Sequence, residues 1–411
     1  MLEITKNEAR KFILNRLGLR TNSSFSSVLD VVKQIHNIQI DTISVVARAQ
    51  DLTIFNRMLG YQEKNVWKHL KERELLEFWS HAICLMQIEE YPFYLWRIDY
   101  HTKHKSSWWK HWENKCKHII DRIYNYVKTN GPTKSADFKQ KEIRKSTGWW
   151  DWKEEKIALE MLFHTGRLLI AYRENFQRYY DLPENVIPSN VSTEKLSLEE
   201  VPQHLINIVF SSLGIASVEE IKHYTGQSFS RELWKNNVGK IEAFLDNYVK
   251  EDILLEVNVN ELENKHYMLA KYNSELKESQ KFNFNRVPVK FLTPFDNIIR
   301  ERSFVQKFWD FDYRIEAYTP VDKRQYGYFS LPILDKYHFI GISDMKVHRK
   351  DQMLELKSLF FEKDFKNDDG FIDRFITGLT LFKDFHGCNE IIINHCNYPK
   401  LLMEIKEQLT E

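Results

Sequence analysis

Cysteine is scarce in this chain of 411 residues: only Cys84, Cys116, Cys388 and Cys396 occur. They lack the paired short spacing of a zinc site and are too few for a disulfide framework, so reduced thiols in a cytosol are expected. Net charge is nearly absent as well. Lys plus Arg (59) almost cancels Asp plus Glu (58), leaving +1, so any basic surface for a polyanion must be local. Long apolar runs are missing. Leu331 to Leu334 and Ile391 to Ile393 fall far short of the roughly 20 residues that span a bilayer, and Met1 to Glu8 has no apolar centre of the secretory kind. Neither a glycine-rich phosphate loop nor a Gly-x-Ser-x-Gly elbow occurs, which removes the usual support for nucleotide hydrolysis and acyl transfer. The histidines do not assemble a metal site by spacing: His101 and His104 lie three apart without a third ligand nearby.

What the chain does have is repetition. Ala9, Phe12, Ile13, Leu14 and Leu17 recur at helical spacing before Gly18, and Val28, Leu29, Val32 and Ile35 predict a second short helix. A third is expected from Asp41, with Asp41 as N-cap and Ile43, Val46, Ala47 and Leu52 continuing the stripe. A β-prone segment, Leu75 to Leu85, follows. The order returns twice. Lys117 to Tyr126, the Gly131 turn and Trp152 to Phe163 precede a hairpin over Arg167 to Tyr180; then Leu213 to Ile221 and Glu242 to Tyr248 precede strands Ile253 to Val259 and His266 to Ala270. Helices followed by a hairpin describe a winged helix. Beyond Arg286, Tyr313 to Tyr318, Tyr326 to Leu331, His338 to Ile342 and Met353 to Phe360 predict strands, and Phe371 to Phe385 and Leu401 to Leu409 predict helices. The fold class read from this pattern is α+β: winged helices over 1–105, 106–185 and 186–275, then an antiparallel, barrel-like β domain with terminal helices over 276–411.

The polar pair inside the apolar run Ile38-Gln39-Ile40-Asp41 is the best candidate for chemistry. If the run is extended, residues two apart point the same way, so the Gln39 amide and the Asp41 carboxylate share a face. As a helix cap, Asp41 would stay ionised and could stabilise a developing cation; a buried Gln39 would need a partner, of which a bound water is one. His81 interrupts an apolar run and reads first as a core histidine. The stretch His101 to His118 interleaves Lys103, Lys105, Lys110, Lys115 and Lys117 with Trp108, Trp109 and Trp112, the ingredients of a nucleic-acid surface or of a helix with a solvated lysine face.

Several motifs together resemble one family. Gln39 to Ala49, Glu77-Phe78-Trp79-Ser80-His81-Ala82, Gly148-Trp149-Trp150-Asp151-Trp152-Lys153, Phe176 to Glu184, Pro294 to Arg302, Asp312 to Glu316 and Lys323 to Tyr328 are similar to the signatures of YcaQ-like winged-helix proteins, relatives of the AlkZ-type DNA glycosylases that unhook interstrand crosslinks. The resemblance covers nearly the whole chain. It implies tandem winged helices and a C-terminal β domain around duplex DNA, monofunctional excision of N7-alkylated purines without a cofactor or metal, and a Gln-x-Asp catalytic motif on Gln39 and Asp41. Arg48, Arg57, His81, Trp149, Arg178, Arg314, Lys323 and Arg324 are candidate DNA contacts, each cation having a salt bridge as its alternative. A monomer bound to alkylated or crosslinked double-stranded DNA is expected. Many members have two histidines after Arg-Ala, where this chain has Gln50 and Asp51, and Ser343 stands where arginine is common; these departures are expected to alter local DNA contacts. A non-catalytic winged-helix regulator is the alternative from another class.

Overall fold

The computed structural model describes residues 1–21, 23–138, 154–224 and 238–410. Its described residues divide into two compact units: those of 1–62, 206–224 and 238–410 form one, and those of 63–138 and 154–205 form the other.

In the first unit, helix Lys6–Arg16 starts at a capping box in which the Glu8 amide donates to Thr5 Oγ1 (3.2 Å) and the Thr5 amide to Glu8 Oε2 (2.8 Å). Its apolar stripe, Ala9, Phe12, Ile13 and Leu14, is buried, as are Val28, Val31, Val32 and Ile35 on helix Val28–Ile35. The third helix does not start at Asp41. It runs Ala49–Phe55, with Arg48 at the cap position, and residues 40 to 48 form an irregular connection after the short strand Asn37–Gln39. Helices Glu200–Leu213, Val218–Tyr224 and Val238–Lys250 precede the hairpin Leu254–Val259 and His266–Leu269, close to the expected third set. Strand Leu2–Ile4 then adds to this hairpin in parallel, Leu2 opposite Val257 and Ile4 opposite Val259. The first 62 residues thus cluster with segments from the chain's later half.

Five strands make the C-terminal sheet, in the order Lys290–Phe291, Ser330–Asp335, His338–His348, Met353–Phe361, Glu390–Ile393. It is a curled half-barrel, and its last pair is parallel rather than antiparallel, because helix Phe371–Phe385 crosses over between those two strands. Tyr313 to Tyr318 is not a strand. That segment belongs to a loop in which the Glu316 carboxylate accepts from the amides of Gln325 (2.9 Å), Tyr326 (2.7 Å) and Gly327 (3.1 Å), an inward fold that a ladder partner would have to displace.

The second unit holds helix Glu63–Lys71 and the hairpin Leu75–Trp79 with Ile83–Gln87, then helices Tyr91–Lys103, Ser107–Lys115 and Lys117–Asn130. Gly131 ends the last of these at φ +76, a conformation glycine adopts without steric cost. Helix Glu154–His164 leads into the hairpin Leu169–Glu174 and Gln177–Asp181, and Thr133–Lys134 pairs with its second strand. Among the described residues no helix is long and apolar enough to cross a membrane. All four cysteines are buried and unpaired with one another.

Candidate active site

Asp41 lies half-buried at the start of the irregular connection. Its Oδ1 accepts from the Ile43 amide at 2.7 Å, so the carboxylate closes a turn over its own chain instead of capping a helix. Burial pushes the Asp41 carboxyl above its ordinary range, and the amides of Ile43 and Thr42 partly oppose that. Gln39, two residues earlier on the strand, is half-buried too.

Anchors hold this segment on both sides. Upstream, Asn297 Nδ2 donates to the carbonyls of Ile35 (2.9 Å) and Asn37 (3.0 Å), and Arg300 Nη1 donates to Asn37 Oδ1 (3.2 Å). His36 between them holds φ at +68, so the turn from helix into strand is locked by side chains from residues 297 and 300. Downstream, Arg349 Nη2 donates to the carbonyls of Val46 (2.7 Å) and Ser44 (3.3 Å), and the Val347 amide donates to the Val45 carbonyl (3.2 Å). The connection therefore rides on the edge of the long strand His338–His348. The Pro294 to Arg302 motif, read only as a family signature, is the bracket of this site: Asp296 pairs with Arg57, Asn297 and Arg300 hold the strand, and Arg302 donates to the Pro294 carbonyl (3.0 Å) while lying over the Tyr313 ring (4.6 Å).

The candidate cations divide sharply. Arg57 has no exposed surface; its guanidinium donates to both Asp296 oxygens (2.7 and 2.8 Å), to Thr53 O (2.8 Å) and to Leu17 O (2.6 Å). It is a core ion pair and offers nothing to a phosphate, which replaces the DNA-contact expectation. Arg178 in the second unit donates to Glu77 Oε1 (2.7 Å) and Glu160 Oε1 (3.0 Å). Burial raises the Glu77 carboxyl, but Arg173 and Arg178 outweigh it and hold its pKa below the usual value; this pairing joins two of the motifs, the Glu77 strand and the Arg178 strand. Arg48 is half-buried at the start of helix Ala49–Phe55. Arg314 and Lys323 are exposed, and Arg324 is half-buried against Tyr328 (5.0 Å), its Nε donating to Thr319 O (2.9 Å). These three share the loop pinned by Glu316. His81 is exposed at the tip of its hairpin, not in a core. Trp149 lies outside the described residues, as does the Gly148 to Lys153 motif. Helix Ser107–Lys115 buries no residue and leaves Trp108 51% exposed, a surface position for the tryptophan-lysine stretch.

Among the described residues, the ligand atoms of His69, Glu72 and Glu74 in the second unit lie within 4.8 Å of one another. His69 Nδ1 is 2.6 Å from Glu74, and Lys68 lies 3.7 Å from Glu72, so these groups already satisfy one another.

Gln50, with Asp51 behind it, carried no signal in the sequence for its contact with Asp41. Gln50 and Asp51 are fully buried in the first turn of helix Ala49–Phe55, and Gln50 Oε1 accepts from the Asp41 amide at 3.4 Å. Neither side chain reaches the surface.

The family model described as "DNA glycosylase AlkZ-like" matches residues 32–371. Among solved structures, the DNA glycosylase AlkZ of Streptomyces sahachiroi superimposes with a TM-score of 0.61 at 14% identity, covering 96% of this chain and 100% of its own. That likeness concerns the fold. The matched span takes in strand Asn37–Gln39 and the Asp41 turn that follows it, the Asn297–Arg300 bracket and the loop pinned by Glu316, and on that basis the chain belongs to the AlkZ-like DNA glycosylase family.

Proposed function

We propose that the protein is a monofunctional DNA glycosylase that hydrolyses the N-glycosidic bond of N7-alkylated purines, including those in interstrand crosslinks. The observation that carries this reading is Asp41: a partly desolvated carboxylate, fixed by the Ile43 amide at 2.7 Å, two residues from a half-buried glutamine. N7 alkylation makes guanine cationic, so the base leaves readily with the electron pair of the C1′–N9 bond and becomes neutral. The sugar is left as an oxocarbenium ion. Asp41 stabilises that cation electrostatically, with Gln39 orienting a water. The water oxygen bonds to C1′ and its proton passes to the Asp41 carboxylate, which a raised pKa favours; the products are an abasic site and the free alkylated base.

The helix sets closed by hairpins Leu75–Gln87, Leu169–Asp181 and Leu254–Leu269 fit three winged-helix modules. A duplex is the partner such modules suit, with Arg314, Lys323 and Arg324 as phosphate contacts and Arg48 and His81 as further candidates. A base tethered to the opposite strand cannot rotate freely into a closed pocket, so an Asp41 on an open connection suits crosslinks better than an enclosed cavity would.

The test is excision. Duplexes carrying an N7-methylguanine or an N7-linked crosslink are incubated with protein and treated with alkali to cleave abasic sites. Strand cleavage by wild type, lost in Asp41→Asn and Gln39→Ala with duplex binding retained, is the expected result; no cleavage of any such lesion by wild-type protein leaves a non-catalytic DNA binder.

A further inference from the structure

Gln50, Asp51 and Tyr61 form a chain of buried side chains that ends on the Asp41 backbone. Tyr61 OH donates to Asp51 Oδ1 at 2.8 Å, Gln50 Nε2 donates to Asp51 Oδ2 at 3.2 Å, and Gln50 Oε1 accepts from the Asp41 amide at 3.4 Å. Gln50 is 0% exposed, Asp51 1% and Tyr61 4%. The chain has a direction. A carboxylate only accepts, so Asp51 draws the NH2 end of the Gln50 amide toward itself and turns the oxygen end toward the Asp41 N–H. Asp51 sits in the first turn of helix Ala49–Phe55, buried with every other residue of that helix. Tyr61 is itself packed on Phe385, which stacks on Phe55 with centroids 4.5 Å apart.

We infer that Gln50, Asp51 and Tyr61 are positioning residues for the glycosylase reaction, setting the orientation of the Asp41 carboxylate through its main chain; this rests on the function proposed above. Three constraints converge on one short turn: Gln50 fixes the Asp41 amide, the Ile43 amide fixes its carboxylate, and Arg349 fixes the carbonyls of Ser44 and Val46. Without Gln50 the amide is left without this acceptor and the carboxylate can swing with its peptide. A displacement on the order of 1 Å lowers a positioned reaction by about 100-fold.

The polarity of the chain supplies the test. Gln50→Ala breaks it. Gln50→Glu places a second carboxylate against Asp51 and breaks it as well. Gln50→Glu combined with Asp51→Asn restores every hydrogen bond with the charge moved one residue along. The carboxylate then carried at position 50 would accept from both the Asp41 amide and the side-chain NH2 at position 51, and the side-chain oxygen at position 51 would still accept from Tyr61. Single-turnover excision of N7-methylguanine and affinity for the same duplex are measured for the three variants and wild type across pH. The inference expects a loss of about 10- to 100-fold in rate for each single variant at unchanged duplex affinity. It expects recovery to within several-fold in the double variant, with the acid limb of its pH profile moved upward because the negative charge now lies nearer Asp41. If folding fails in the single variants, the double variant decides alone: an unmoved acid limb overturns the inference. Single variants within about threefold of wild type overturn it too. Absence of excision by wild-type protein instead overturns the proposed function, so the two failures are distinguishable.

Discussion

Arg57 and Asp296 form a bidentate ion pair with both side chains fully excluded from solvent, Nη1 to Oδ2 at 2.7 Å and Nη2 to Oδ1 at 2.8 Å. Desolvating two charges offsets much of their attraction, so the pair itself adds little net stability, but separating it strands a charge in the core. Asp296→Ala is expected to destabilise the protein by about 3–5 kcal/mol, and Arg57→Met with Asp296→Leu together by much less. Denaturant unfolding of the two variants beside wild type measures the difference.

Because burial raises the Asp41 carboxyl, the excision rate should fall on the acid side at a pH above that of an unperturbed aspartate. The sign follows from the proposed role: the ionised form would stabilise the sugar cation and accept the proton, and it disappears as pH falls through the raised pKa. Single-turnover rates between pH 4 and 8, corrected for spontaneous depurination, give the profile; a limb at the pH of an ordinary aspartate contradicts the assignment.

His266 has no exposed surface, and burial pushes its pKa down to about 4, with Glu220 opposing and Lys307 assisting. Burial likewise holds His164 and His386 at about 3 and His338 at about 4. Each is depressed in the fold, so the unfolded chain binds more protons below pH 6.5. Their contribution is fully present above that pH and is lost as pH falls toward 4. Each adds a slope of up to about 1.4 kcal/mol per pH unit in that window. Stability measured from pH 7 to 4.5 should drop steeply, and less steeply in His266→Gln.

Arg314 and Lys323 are exposed on the loop that Glu316 pins. As phosphate contacts they would act on all sequences alike. Arg314→Ala with Lys323→Ala should weaken binding to undamaged duplex and reduce the slope of log affinity against log salt by roughly 1 for each phosphate no longer neutralised. A salt titration by fluorescence anisotropy reads both; an unchanged slope removes these residues from the interface.

Much of the secondary structure could be read from pattern because its causes are local. Helix Phe371–Phe385 has the predicted ends, and hairpin Leu169–Asp181 follows from alternation around a polar turn where Asn175 and Phe176 adopt positive φ. The misplacements arise where distant side chains overrule local preference. Asp41 is a good N-cap by type, yet the helix starts at Ala49, because Arg349 and Val347 hold residues 44 to 46 on a strand three hundred positions later. Tyr313 to Tyr318 has strand composition, but Glu316 finds its partners in Gln325, Tyr326 and Gly327. The pair Gln39 and Asp41 was visible as two polar groups in an apolar run. Its supports were not, since nothing in the spacing of Asn297, Arg300 or Gln50 points to a segment they meet only after folding.

Strand Leu2–Ile4 finds its partner in Val257 to Val259. During synthesis these first residues leave the ribosome long before the segment they pair with. At ordinary elongation rates the interval is roughly 13–50 s, far longer than helices or hairpins need to form. Strand Leu2–Ile4 therefore waits unmated until Val257 to Val259 emerge, a period in which protection by a chaperone would bear directly on the yield of folded protein.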